Sequence, residues 1–236
     1  MGKKMLYYGV LLAILLACAT PSLGEGGPDK TTTGTGEQVT LPPPSQNGGM
    51  SLTEALARRR SVRAFSAQPL TDQQLSQLLW AVQGITDGEG HRTAPSAGAL
   101  YPLEVYLATA TGVYHYEPHA RQLSRLLGRD TRAALYQAAL RQEAIREAPV
   151  VFVITAVYAR TEERYGVERG TRYIHLEAGH AAQNVLLQAT ALGLGAVPIG
   201  SFSDSEIQTA LTLPEDRAPL YLIPVGRPRS AGLGSR

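Results

Sequence analysis

The chain reads as an α+β protein, and three observations carry that reading. Helical and strand patterns are interleaved from residue 51 onward. Two alternating segments, Leu103–Thr109 and Val113–Tyr116, flank Thr111-Gly112 and read as a hairpin. A hairpin joins antiparallel neighbours, so a purely parallel sheet is excluded. The 236 residues suffice for one domain with a sizeable core, and no internal repeat marks a second.

The elements follow in order. Ser51 with Glu54 forms a capping-box pattern, and Leu52, Ala55 and Leu56 have helical spacing up to Arg58. Thr71 with Gln74 repeats the capping pattern, Leu75, Leu78, Leu79 and Val82 line one helix face, and Gly84 ends it. Residues 85–98 read as a loop. After the hairpin, helices are expected over Leu123–Leu127 and Arg132–Glu147, with Pro149 as the stop. Val150–Val157 is a continuous β-branched run, the pattern of a buried strand. Residues 159–170 are charged and read as loop. Tyr173–Leu192 is the longest helical pattern, broken by Gly193-Leu194-Gly195. A short strand over Ala196–Ile199, a helix over Glu206–Leu211 capped by Asp204, and a last strand over Leu220–Val225 complete the series.

Composition sets the boundaries. Residues 1–19 carry Lys3 and Lys4, then an apolar run from Met5 to Leu16 that is short for a membrane span. Leu15-Leu16-Ala17-Cys18 has the form of a bacterial lipobox, and Cys18 is the single cysteine, so no internal disulfide can form. The expectation is an extracytoplasmic lipoprotein held to the membrane by a lipid anchor; ordinary signal cleavage near Ala17-Cys18-Ala19 and an uncleaved anchor are the competing readings. Residues 20–50, rich in Gly, Pro, Thr and Ser, read as a flexible tether. Residues 51–229 are the folded domain and 230–236 a tail. A net charge of +2 with no long basic stripe gives no nucleic-acid signal.

Four short motifs carry the chemistry. Arg58-Arg59-Arg60-Ser61-Val62-Arg63 places several guanidinium forks and a hydroxyl at a helix end, a candidate phosphate clamp, although a solvated basic helix end has the same composition. Pro95-Ser96-Ala97-Gly98-Ala99-Leu100-Tyr101-Pro102, Pro198-Ile199-Gly200-Ser201-Phe202 and Pro224-Val225-Gly226-Arg227-Pro228 follow. In this order, with Glu177-Ala178-Gly179-His180-Ala181-Ala182-Gln183-Asn184, the stretch from Ser51 to Arg229 resembles the nitroreductase superfamily of FMN-dependent oxidoreductases. It looks nearest to the azoline-oxidising dehydrogenase branch, the SagB type.

The resemblance implies a nitroreductase-like fold, a mixed and mostly antiparallel sheet surrounded by helices. It implies a homodimer with flavin clefts at the subunit interface. Arg59, Arg60, Ser61 and Arg63 would contact the FMN phosphate and ribityl chain, and Gly226 and Arg227 approach the same phosphate. Ser96, Gly98, Ala99, Leu100 and Tyr101 would lie along the isoalloxazine, and Gly200 and Ser201 near N5. Arg164 and Tyr165 occupy the place of a Lys-Tyr pair that handles a proton. Arg164 stays protonated and makes a poor base. A small-molecule or peptide substrate and an electron donor such as NAD(P)H are the implied partners. A flavin-binding carrier or sensor without turnover is the alternative.

Other chemistries find little support. His175 and His180 are five residues apart, off a common helix face, and no metal set is formed. Gly193-Leu194-Gly195 ends a helix, so a dinucleotide fingerprint fails. No nucleophile elbow is present.

Overall fold

The computed structural model describes residues 37–229. The Cys18 lipobox and the 230–236 tail lie outside the described residues, as does the tether up to residue 36. One seven-stranded sheet runs through the described part. Its strands are β1 (Gln38–Thr40), β2 (Leu103–Thr109), β3 (Val113–Glu117), β4 (Gln122–Leu127), β5 (Val150–Ala156), β6 (Gly195–Ala196) and β7 (Ala218–Gly226). The spatial order is β1-β4-β3-β2-β5-β7-β6, and every named pair is antiparallel. The one parallel link is an isolated bridge from Ser61 to Ala196.

The period-2 alternation of the strands builds two cores. Leu103, Val105 and Leu107 of β2 face α2 (Asp72–Gln83) and α6 (Val167–Ala191), with Phe152, Ile154 and Ile223. Tyr106 and Ala108 face α3 (Arg132–Ala138), α4 (Glu143–Glu147) and α7 (Asp204–Leu211), with Val151, Val153 and Leu222. Strand β5 is covered on both faces and all seven of its residues are buried, which is why it reads as an unbroken apolar run.

Several elements differ from the reading of the sequence. Residues 122–127 form β4, not a helix. The tight turn at Pro118–Arg121, with Arg121 left-handed at φ 52°, returns the chain along β3, and Tyr116 pairs with Leu123. The expected helix 132–147 is two helices, interrupted where Leu140 and Arg141 adopt φ of 54° and 60°. The charged stretch 159–170 is helical: α5 (Ala159–Tyr165), then the first turn of α6 after Gly166. Ser203, not Asp204, is the cap of α7. The ordered chain also begins well before Ser51. Strand β1 pairs with β4, Leu41 is buried, and the Ser45 backbone N–H donates to Gln77 Oε1 at 2.8 Å. A Pro/Gly-rich segment can thus add an edge strand when its few apolar residues find a groove.

The two capping patterns resolve differently. In α2 both bonds form: Gln74 N–H donates to Thr71 Oγ1 at 3.2 Å, and Thr71 N–H to Gln74 Oε1 at 3.0 Å. At the start of α1 (Leu52–Arg58) only Ser51 Oγ caps, because the Glu54 carboxylate turns to Arg58 at 2.7 Å.

Strand register separates two ends of the sheet. Leu103, Ala156 and Ala218 mark one end; Thr109, Val150 and Val225 mark the other. The seven residues of β2 span roughly 20 Å between them.

Candidate active site

The arginine motif sits at the Val225 end. Beyond α1 the chain runs extended between β6 and the tail of β7. Val62 N–H donates to Ala196 O, and Ser66 N–H to Arg227 O, both at 3.0 Å. Two glycines make room for this segment. A Cβ on Gly195 would lie 2.6 Å from Val62 Cβ, and one on Gly226 would lie 2.6 Å from Pro149 and 3.1 Å from the Phe65 ring. Arg59, Ser61, Arg63 and Arg227 are thereby gathered near one edge of the sheet. Arg227 Nε is buried and has no partner. Arg60 is posed otherwise: its Nη1 donates to the Ala57 and Arg59 carbonyls at 2.9 and 2.8 Å, closing the end of α1. Arg58 is exposed and paired with Glu54.

The Ser96–Tyr101 loop sits at the Leu103 end. Its backbone is left-handed at three of six positions: Gly98 (φ 63°), Ala99 (φ 53°) and Tyr101 (φ 46°). Strain of this kind at non-glycine residues persists only where the surroundings enforce it. Here Tyr101 N–H donates to Ser96 Oγ at 2.9 Å, Ala99 N–H to Ser96 O at 3.1 Å, and Arg160 Nη1 to Tyr101 O at 3.1 Å. Leu100 is half-buried beside them. Arg164 and Tyr165 reach this loop. A Cβ on Gly98 would stand 2.7 Å from the Tyr165 hydroxyl and 2.9 Å from Arg164 Nη1, the tips of two side chains that would have to shift, and the Gly98 φ of 63° favours glycine. The Tyr165 ring also meets Tyr173 edge-on at 5.1 Å.

Gly200 and Ser201 form a third group. The Ile199–Leu222 bridge fixes the chain just before them. Space above Gly200 is open, with no atom within 4 Å of a would-be Cβ, and it opens on a cavity of about 270 Å³ lined by His175, Phe202, Asp204 and Tyr221. Gln142 Nε2 donates to Ser201 O at 3.3 Å, which brings the left-handed Leu140-Arg141 pair alongside. Neither residue type signals such a turn in the sequence, so this contact was not legible.

Residues 56–227 match the Nitroreductase family. The chain belongs to the nitroreductase family. A Methanocaldococcus jannaschii protein described as a nitroreductase is 47% identical over 184 residues, covering 75% of this chain and 91% of that one. The microcin B17-processing protein McbC of Escherichia coli is 30% identical over 150 residues, 57% of this chain and 54% of its own. The crystal structure of a protein from Ralstonia eutropha, also described as a nitroreductase, aligns with a TM-score of 0.76 and 33% identity over 82% of this chain and 90% of that one.

In this nitroreductase-family chain a polar network backs the Ser96–Tyr101 loop. Arg92 stacks over the Tyr101 ring at 4.5 Å and donates from Nη1 to Gln83 Oε1 at 2.8 Å. Behind Ser96 lies Glu177 of α6, 3% exposed. Burial pushes its carboxyl up to about 7, with Ser96, Arg92 and Gln83 pulling weakly the other way. A second network ties β2, β3 and α5 together. His115 is held between Glu104 and Glu117, both at 2.7 Å, and Glu104 also pairs with Arg160. Burial would raise the Glu104 carboxyl, but His115 and Arg160 outweigh it and bring it down to about 2. Burial likewise opposes charge on His115, and the two carboxylates reverse it, so its pKa is raised.

Proposed function

We propose that the protein is an FMN-dependent oxidoreductase related to the azoline-oxidising SagB-type branch, working as a homodimer. The observation that carries this reading is the split of the cofactor motifs into two prepared clusters. One cluster is basic, with an unpartnered Arg227 Nε; the other is a strained loop with the Tyr165 hydroxyl and the Arg164 guanidinium set against Gly98. Arg59, Arg60, Ser61, Arg63 and Arg227 would hold the phosphate and ribityl chain. Gly200, Ser201 and the Ser96–Tyr101 loop would receive the ring. A protein of the same fold from Desulfovibrio desulfuricans, 22% identical, is in complex with FMN.

Bound FMN supplies hydride transfer at N5 in two alternating half-reactions. The chain's own residues bind, orient and manage protons. Donors fixed by β6 and β7 neutralise the phosphate. Tyr165 presents its hydroxyl at Gly98, where it would handle the proton that leaves or joins a substrate. Arg164 cannot serve as a base, and its fixed charge instead favours an anionic substrate group or developing negative charge. The substrate is a small molecule or a peptide, and a reduced nicotinamide is the expected donor.

Within one chain the two clusters lie at opposite ends of strands about 20 Å long. A second copy bringing its loop to the first copy's arginines accounts for both. The second reading, a flavin carrier or sensor, rests on Arg164 standing where a base is needed. The deciding experiment is to denature purified protein and assay released flavin, then screen donors and acceptors. A colourless protein removes the cofactor reading; a yellow protein that turns over no pair selects the carrier. The export expectation is checked separately: Cys18→Ser should release the protein from membranes, and unchanged membrane association would exclude lipidation as the anchor.

A further inference from the structure

Glu177 is the one buried carboxylate among the described residues, and its Oε1 has no hydrogen-bond partner. Two further polar atoms around it are orphaned as well, Gln83 Nε2 and Arg92 Nε. Ser96 and Gln83 face the carboxylate without closing a full set of hydrogen bonds, and an incompletely paired buried cluster calls for a role. Their position supplies one. Glu177 lies behind Ser96, while Tyr165 and Arg164 touch the same loop at Gly98.

We propose that Glu177 is the proton-exchanging group of the cofactor loop, taking up one proton from solvent each time a negative charge is added to the ring that lies on Ser96–Tyr101. The inference rests on the FMN reading above. A hydride delivered to bound FMN would leave one additional negative charge at the loop. The Glu177 carboxylate answers by forming an O–H bond with a solvent proton, and no bond of the protein breaks. Reoxidation removes the charge and the proton returns to solvent.

The surroundings of Glu177 suit this exchange. Arg92 from the loop is the one cation that acts on it directly. Gln83 from α2 and Ser96 contribute neutral dipoles, and Tyr101 stands beyond Arg92. On its own helix His180 is one turn away and exposed. From α5, Arg160 and Arg164 reach the loop itself. A single buried acid facing one shared cation is poised near neutrality, where a unit charge across the loop decides its state.

The test is the pH dependence of the flavin midpoint potential in the full chain, comparing wild type with Glu177→Gln between pH 6 and 8. Wild type should show one more proton per two electrons, a further tenfold per pH unit, or about 30 mV per pH unit. Glu177→Gln should lack that increment. A second readout needs no variant: the reduced-minus-oxidised infrared difference spectrum of wild type, labelled with ¹³C-glutamate, should contain a protonated carboxyl stretch. Coincident slopes, or an absent carboxyl band in a protein that does hold flavin, overturn the proposal. A protein without flavin removes it together with the cofactor reading.

Discussion

Arg58, Arg60 and Arg227 carry the same charge and meet three different fates. Arg58 pairs with Glu54 in solvent, Arg60 closes the end of α1, and Arg227 keeps a buried Nε free. A hydrogen bond to a charged group contributes roughly 1.5–3 kcal/mol, which is about ten- to a hundredfold in affinity. Arg227→Ala and Arg60→Ala are therefore expected to weaken FMN binding by that factor, and Arg58→Ala to leave it nearly unchanged. Arg60 must first leave the Ala57 carbonyl, so its loss should be the smaller of the two. Fluorescence titration of the apoprotein measures all three, and equal losses would reduce the clamp to general positive charge. Glu177 allows a separate expectation. An acid whose folded pKa is raised from 4.5 to about 7 destabilises the fold as pH rises through that interval. Glu177→Gln should therefore melt higher than wild type at pH 8 and show little gain at pH 4.5. A variant that melts lower at both values would mean that the carboxylate is satisfied in the fold.

Among the elements, β2, β3 and α5 are joined by charge as well as by strand pairing. Glu104, His115, Glu117 and Arg160 sit where the loop, the hairpin and the helix bearing Tyr165 meet. The lowered Glu104 pKa gives stability that is complete above pH 4.5 and lost as pH falls toward 2. The raised His115 pKa gives stability complete below pH 6.5 and lost as pH rises through its folded value. Both contributions are whole between about pH 4.5 and 6.5. Glu104→Gln should lose stability there, on the order of 3 kcal/mol, read by urea denaturation at pH 5.5. A loss under 1 kcal/mol would mean that the network is solvated. Sequence patterns foretold some elements and missed others for physical reasons. The Thr71–Gln74 box and the β5 run depend on neighbours in the chain, so they were legible. Strand β4 was not, because Leu123, Leu126 and Leu127 have helical spacing while the turn at Arg121 and register with β3 decide the outcome. Helix α5 has only Thr161 buried, and so shows no apolar stripe to read. The motifs that mark the nitroreductase family were legible by resemblance, whereas Glu177's place behind Ser96 depends on which face α6 turns to the loop.

At the scale of the whole molecule, the question is whether one chain or two build a site. The arginine cluster and the Ser96–Tyr101 loop lie at opposite ends of the strands. The faces available for a second copy include exposed Leu52 and Leu56 of α1 and Leu176 of α6; exposed leucines on two packed helices are what an isologous interface would cover. Subunit mixing tests this directly. Arg227→Ala should disable the arginine half, and Gly98→Val the loop half, since a β-branched residue is strained at φ 63° and would displace the Tyr165 hydroxyl and the Arg164 guanidinium. Each variant alone should bind little FMN. In a mixed dimer, one cleft combines both damaged halves and the other combines both intact halves. Random exchange makes about half of the dimers mixed, so about a quarter of wild-type clefts should return. Flavin bound per chain, measured after co-refolding equal amounts of the two variants, reports that fraction. Recovery near a quarter supports clefts shared between chains; recovery at the level of the separate variants would place each flavin within a single chain and overturn the two-copy site.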